Sequence, residues 1–361
     1  MRRFVSVVGV ALAVLALLSH LGSAPVERQE HAAARGAPPA VRADSVRDEI
    51  AARLRLVTMA ASDSTRARLL AAARGLATAY AVSWSDSFLV RRVAAFEAAS
   101  PARRRDMAAA DSLWRAGRTA IGRDGVPAAL ALWRRSLRHA TVAGDSAARA
   151  VALGAIGAGF YSAGELDSAG GYLAEAERMA RATGDHRTLG TAIGNLASVS
   201  KDRGELARAS RRYREALEIR SRSGDTRGMA ADHNNLGLIA WSLGDLAEAR
   251  RAFERALALN RVPGRERHAA LNRTNLGDLA SVEGDYATAR ADYEEALALN
   301  RATGDSAETA FVLHRLGRLA TRRGDYPAAI AALTEALAVH ERSGARLEAV
   351  AVRSDLAGVR A

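Results

Sequence analysis

Residues 235–257 read Asn-Leu-Gly-Leu-Ile-Ala-Trp-Ser-Leu-Gly-Asp-Leu-Ala-Glu-Ala-Arg-Arg-Ala-Phe-Glu-Arg-Ala-Leu. The apolar positions fall three or four apart, which is helical spacing, and Gly244-Asp245 interrupts them. The stretch is therefore two helices joined by a turn. It recurs every 40 residues. Gly164-Glu165-Leu166, Gly204-Glu205-Leu206, Gly284-Asp285-Tyr286 and Gly324-Asp325-Tyr326 repeat the turn. Ile156-Gly157, Leu196-Ala197, Leu276-Gly277 and Leu316-Gly317 repeat Leu236-Gly237, and Leu173, Tyr213, Tyr293 and Leu333 repeat Phe253. Alanines at 169, 209, 249, 289 and 329, and at 176, 216, 256, 296 and 336, keep the same phase. A fixed period of this size means one supersecondary unit copied in a line.

Each unit is a helical hairpin that cannot bury its apolar stripe alone. Small residues let the two helices approach, and the large residue fills the space beside them. A second punctuation, Gly144-Asp145, Gly184-Asp185, Gly224-Asp225 and Gly304-Asp305, separates one hairpin from the next. Glycine takes the left-handed cap conformation without penalty, and the aspartate caps the following helix. Asp245 to Glu248 and Asp305 to Glu308 have capping-box spacing. Val262-Pro263-Gly264-Arg265 replaces Gly-Asp at one junction and predicts a different bend there.

The pattern at 235–257 resembles the tetratricopeptide repeat (TPR). The 40-residue period is similar to its long-helix variant, as used in kinesin light chains, spindle-orientation adaptors and bacterial multi-repeat proteins. The resemblance implies an all-α fold, a right-handed α-solenoid of stacked hairpins forming a TPR superhelix. Six units cover 104–143, 144–183, 184–223, 224–263, 264–303 and 304–343. Residues 344–361 read as a capping helix, with Leu356-Ala357 in phase with Leu316-Gly317. Ser100-Pro101 opens the first helix of the first unit, and Ala116-Gly117 joins the ladder. Residues 63–99 are expected to be a degenerate unit, because Leu76-Ala77 and Tyr80 remain in phase. Residues 25–62 read as a proline-containing linker and a helix.

Residues 1–24 read as a targeting segment. Arg2-Arg3 precede the apolar run Phe4–Leu18, and Gly22-Ser23-Ala24 is a small-residue cleavage candidate. Pro25 follows it, which disfavours cleavage at that bond. Two outcomes stay open: a cleaved signal, or an anchor in which residues 4–18 are the one membrane contact. Either implies export to the periplasm or cell envelope of a GC-rich bacterium. The chain has no cysteine, which excludes a disulfide, a lipid-anchored cysteine and a thiol nucleophile.

The net charge is +12, or 12 − 2 = +10 without the two arginines of residues 1–24. All of the 52 basic residues except Lys201 are arginine. The surplus favours acidic partners or a plain solvated surface. No stacking aromatics interleave the arginines, so nucleic acid is not expected as a partner. Gly154-Ala155-Ile156-Gly157-Ala158-Gly159 has the wrong spacing for a dinucleotide loop and falls inside a helix, where small residues serve close packing. The eight histidines make no metal-binding pair, no cofactor is expected, and no nucleophile–base or phosphate motif supports an enzyme.

The resemblance also implies the binding residues. In that family the first helix of each hairpin lines a concave groove, and the residue before the ladder leucine points into it. Here that residue is Arg115, Ala155, Asn195, Asn235, Asn275, Arg315 or Asp355. Asn195, Asn235 and Asn275 offer paired donors and acceptors to the backbone of an extended peptide; the alternative is that they bond neighbouring helices. His314, Arg315, Arg318 and Arg322 share one helical face and could clamp an acidic side chain or a terminal carboxylate. The alternative there is a solvated face. Tyr161, Lys201 and Trp241 occupy one common position five residues after the ladder leucine. The expected function is an exported scaffold that binds a protein or peptide, extended or acidic, in its groove. The other reading is a regulatory or sensor subunit for a separately encoded effector, such as a caspase-like peptidase or a signalling protein. Nothing in the sequence bears on oligomeric state.

Overall fold

A computed structural model describes residues 41–360. The targeting segment and most of the linker lie outside the described residues. Sixteen α-helices and no strand are present among those described. They are α1 (Val41–Met59), α2 (Asp63–Trp84), α3 (Phe88–Ala98), α4 (Pro101–Arg123), α5 (Gly125–Val142), α6 (Ser146–Ser162), α7 (Leu166–Thr183) and α8 (His186–Asp202). The chain continues with α9 (Leu206–Ser223), α10 (Thr226–Ser242), α11 (Leu246–Asn260), α12 (Glu266–Glu283), α13 (Tyr286–Ala302), α14 (Ser306–Arg322), α15 (Tyr326–Ser343) and α16 (Arg346–Arg360). Two compact units divide at Gly228 and Met229, within α10.

The hairpins close by fitting a large side chain over a missing Cβ. A Cβ built on Gly237 would lie 2.6 Å from the Phe253 ring, one on Gly277 2.7 Å from Tyr293, and one on Gly317 2.6 Å from Leu333. In the first unit Gly157 meets Leu173 in the same way, at 2.6 Å. Ala169, Ala209, Ala249, Ala289 and Ala329 are fully buried, as are Ala176, Ala216, Ala256, Ala296 and Ala336. At interior packing density an added methyl at these positions has no free space. A Cβ built on Gly159 would likewise lie 2.8 Å from Leu130 Cδ2, so the small-residue run at 154–159 is a packing surface.

The junctions follow the punctuation. Gly184, Gly224, Gly284 and Gly344 end helices with positive φ. Asp145 accepts from the Ala148 amide, Asp185 from Thr188, Asp225 from Gly228 and Asp305 from Glu308. Asp245 also caps Glu248, but the Glu248 carboxylate turns to Arg251, so only half of the capping box forms. The junction at 262–265 does bend differently. Gly264 takes φ 83°, and Arg265 starts α12 without a side-chain cap; its guanidinium donates to the Leu259 carbonyl instead.

In the first unit α1, α2 and α3 share a core of Ile50, Leu54, Val57, Leu76, Tyr80, Leu89, Val93 and Phe96 with Met107, Ala143 and Ala147 of the following hairpins. Polar contacts tie this packet to successive junctions. Arg47 donates to Asp185 at 2.8 Å and lies over the Phe88 ring. Arg92 binds Asp145, and the Tyr80 hydroxyl donates to the Ser223 carbonyl at 3.3 Å. Burial opposes the charge on Arg47, but Asp185, together with Tyr80 and Asp86, outweighs it and raises the guanidinium pKa; Arg47 and Thr188 in turn hold the Asp185 carboxyl below its usual value despite burial. α1 also pairs with the first helix of the first hairpin, through Arg55 to Asp111 and Asp48 to Arg115 at 2.9 Å.

Candidate functional site

In the second unit, α10, α12, α14 and α16 are the first helices of successive hairpins, and the 40-residue phase sets their side chains in rows. One row is Ala231, Leu271, Phe311 and Ala351, all exposed. Leu271 and Phe311, the two large apolar side chains of that row, keep 44% and 41% of their surface in solvent. The next row along the same faces is Asn235, Asn275, Arg315 and Asp355, all half-buried. One turn further stand Leu238, Asp278, Arg318 and Gly358, then Ser242, Val282 and Arg322.

The predicted residues divide between the units. Asn195 and Lys201 lie on α8 in the first unit. Lys201 Nζ sits 3.4 Å from Asp202, which also accepts from the Tyr161 hydroxyl at 2.6 Å. The remaining residues lie in the second unit. Asn235 donates back to the Ala231 carbonyl of its own helix at 3.1 Å, leaving its side-chain oxygen free of that bond. Asn275 is engaged between helices: it donates to the Asn234 side-chain oxygen at 2.8 Å. Asn272 donates to the same oxygen at 3.0 Å and accepts from Asn260 at 2.8 Å. For Asn275 the interhelical alternative is therefore the one observed. Trp241 is half-buried, edge-on to Phe253 with centroids 6.4 Å apart, and so belongs partly to the hairpin core.

The basic face carries its own counter-charges. His314 Nε2 lies 2.7 Å from Asp355, Arg318 lies 3.7 Å from the same carboxylate, and Arg315 lies 3.3 Å from Asp278 and over the Phe311 ring. Arg322 donates to the Ser281 hydroxyl at 2.9 Å. Asp278 accepts from the Tyr293 hydroxyl at 2.6 Å. Burial pushes the Asp278 carboxyl up, against the Tyr293 bond and the three arginines that favour its ionised form. Burial and the Asp278 charge push the Tyr293 phenol well above its ordinary range. Three arginines face two carboxylates, so a positive surplus remains at Arg318 and Arg322, the more exposed of the set.

Sequence reasoning named the cations and placed Asp355 in the same row, but missed Asp278 and Asn234. For Asn234, though not for Asp278, a pairwise signal exists. Asn234–Asn275, Ser281–Arg322, His314–Asp355 and, in the first unit, Tyr161–Asp202 are all separated by 41 residues. Complementary residues at i and i+41 therefore meet between neighbouring first helices.

A different concavity of about 400 Å³ lies among α11, α12 and α13, where Arg273 pairs with Asp292 at 2.5 Å and Glu295 at 2.6 Å. Among the described residues no three His, Cys, Asp or Glu side chains converge as metal ligands would, and no helix is long and apolar enough to cross a membrane.

The tetratricopeptide repeat model matches residues 188–261 and 266–342. No curated protein matches the chain in sequence. Among solved structures the chain is similar to BtubC (BKLC) from P. vanneervenii, with 21% identity, TM-score 0.52, and 65% of this chain and 92% of that one covered. It is also similar to the apo form of RapI, with 14% identity, TM-score 0.51 and coverage of 70% and 97%. A Rap protein complexed with Competence and Sporulation Factor has 14% identity, TM-score 0.52 and coverage of 88% and 98%. At these identities the likeness concerns the fold.

Proposed function

We propose that this chain, which belongs to the tetratricopeptide-repeat superfamily, is a protein–protein interaction scaffold that takes a segment of a partner protein on the first-helix face of its second unit. One observation carries the reading: the exposed apolar row through Leu271 and Phe311 runs beside the polar and basic rows through Asn235, Arg315, Arg318 and Arg322. An exposed apolar strip rimmed by polar groups is the usual mark of an interaction surface. The similar Rap protein, captured with Competence and Sporulation Factor, supports a ligand-binding role for such a stack. The surplus of arginine favours a partner carrying at least one carboxylate.

The proposal includes export to the cell envelope, on the strength of Arg2-Arg3 and the apolar run Phe4–Leu18. It assigns no catalytic role. Affinity capture from a cell-envelope extract, comparing the parent with a Leu271→Ser/Phe311→Ser variant of equal melting temperature, tests it. A partner retained by the parent and lost by the variant supports the reading. Equal retention by both overturns it.

A further inference from the structure

Arg261 has lost the partner that its place in the repeat provides. Two arginines in phase with it pair with the glutamate 34 residues further on: Arg181 with Glu215 at 3.0 Å, and Arg301 with Glu335 at 2.6 Å. The residue 34 after Arg261 is Glu295. Glu295 binds Arg273 instead, at 2.6 Å. Arg261 stands exposed just past the end of α11 and makes no ion pair among the described residues.

Arg273 is itself a departure. In phase with it stand Leu153, Ile193, His233 and Leu313, of which the three apolar ones are buried. Its other partner, Asp292 at 2.5 Å, is in phase with Ala252 and Ala332. Asp292 is almost wholly buried, and burial pushes its carboxyl up, against the hydrogen bond and charge of Arg273. Replacing a buried ion pair by apolar side chains is often neutral or stabilising. The next unit closes its hairpin with Leu313 and Ala332 at these two positions. Stability therefore does not account for Arg273 and Asp292.

These departures meet in one place. Arg261, Arg273, Asp292 and Glu295 all line the concavity of about 400 Å³ among α11, α12 and α13. Small-molecule sites occupy about 300–1,000 Å³. Leu257 and Leu276, both nearly buried, supply an apolar floor. Glu254 of α11 lines the same concavity, is exposed, and makes no ion pair among the described residues. Arg250, the remaining cation, is held by Glu283. The concavity thus offers one guanidinium and one carboxylate without partners, and they do not meet each other.

The structure assigns this concavity as a binding site for a small zwitterion: an ammonium and a carboxylate on a short apolar body, as in a free amino acid or a short peptide. The ligand carboxylate takes the two-pronged donor of Arg261. Its ammonium meets Glu254, and its apolar atoms rest on Leu257 and Leu276. The site shares no residue with the Leu271–Phe311 face, so it goes beyond the scaffold reading and stands or fails separately from it.

Calorimetric titration and thermal unfolding of the full chain, with the common free L-amino acids and the dipeptide alanyl-leucine as probes, test the assignment. The expected result is that at least one probe binds saturably and raises the melting temperature. Its N-acetyl and C-amide derivatives should bind at least tenfold more weakly. Arg261→Gln and Glu254→Gln should each weaken binding at least tenfold and leave the melting temperature without ligand unchanged, because neither side chain holds a partner. Arg273→Leu/Asp292→Ala should also abolish binding, because Glu295 is then released to Arg261 as in the in-phase pairs. Binding by the free amino acids, or by the dipeptide alone, supports the site and tells the two sources apart. No binding by any probe, binding indifferent to Arg261→Gln, or equal binding of the blocked derivatives overturns it.

Discussion

Asn275 on α12 donates to Asn234 on α10 at 2.8 Å, and the same oxygen takes a second bond from Asn272, whose own oxygen accepts from Asn260. One acceptor thus holds two donors, and a run of four asparagines stitches α10, α12 and the end of α11. Asn260 and Asn272 are almost wholly buried, so their amides have no water to fall back on. Asn272→Ala should cost about 1–3 kcal/mol, because it strips partners from buried groups on both sides. Asn275→Ala should cost about 1 kcal/mol, and Asn235→Ala close to nothing. Urea unfolding of the three variants gives the order directly.

The hairpin closures make a steric prediction. Gly277→Ala places a methyl 2.7 Å from the Tyr293 ring and 3.2 Å from the Ala289 carbonyl, and Ala249→Leu expands a fully buried site. Each should destabilise by about 1–3 kcal/mol. Gly164→Ala meets no neighbouring atom, but its φ of 79° imposes strain of a different origin. Thermal unfolding of Gly277→Ala and Ala249→Leu should show lower melting temperatures; a neutral result for either means the packing register is wrong.

Arg47 and Asp185 form a buried pair across 138 residues of chain. Arg47→Ala leaves the Asp185 carboxylate without its main compensating charge. The expected loss is about 3–5 kcal/mol, as for other buried pairs broken on one side. Hydrogen exchange of α1 in a milder Arg47→Lys variant should rise, because lysine cannot reproduce the guanidinium's fit over Phe88.

His233 supplies a pH dependence. Burial first and Arg255 second hold its imidazole pKa below the ordinary value, with Glu248 opposing. A depressed histidine favours the neutral form in the fold. Above about pH 6.5 both folded and unfolded states carry it neutral, and it has no effect. As pH falls below that value the unfolded chain takes the proton more readily, so stability declines. His233→Gln should flatten the decline between about pH 6.5 and 5 in denaturant titrations.

The repeat made the hairpin core readable before any coordinates, because a residue such as Phe253 or Ala249 recurs in phase and its neighbours follow from the phase. Residues off the ladder do not recur in phase, and only a complementary pair 41 apart marks some of them. Asn234 and Asp278 each meet a partner on an adjacent first helix, and their side-chain types vary from one unit to the next, so periodicity alone does not mark them. The basic face at 314–322 was legible as cations but not as cations already met by Asp278 and Asp355, which come from the preceding and following hairpins. The Arg47–Asp185 contact was out of reach altogether: residues 25–62 read as a linker and a helix, and nothing in their spacing says which junction that helix meets.

The most direct measurement is a hydrogen-exchange footprint of the full chain with and without its captured partner segment. The account predicts added protection within Leu271–Val282 of α12 and Phe311–Arg322 of α14, and none within α11, α13 and α15. Protection confined to those second helices, with α12 and α14 unchanged, would contradict it.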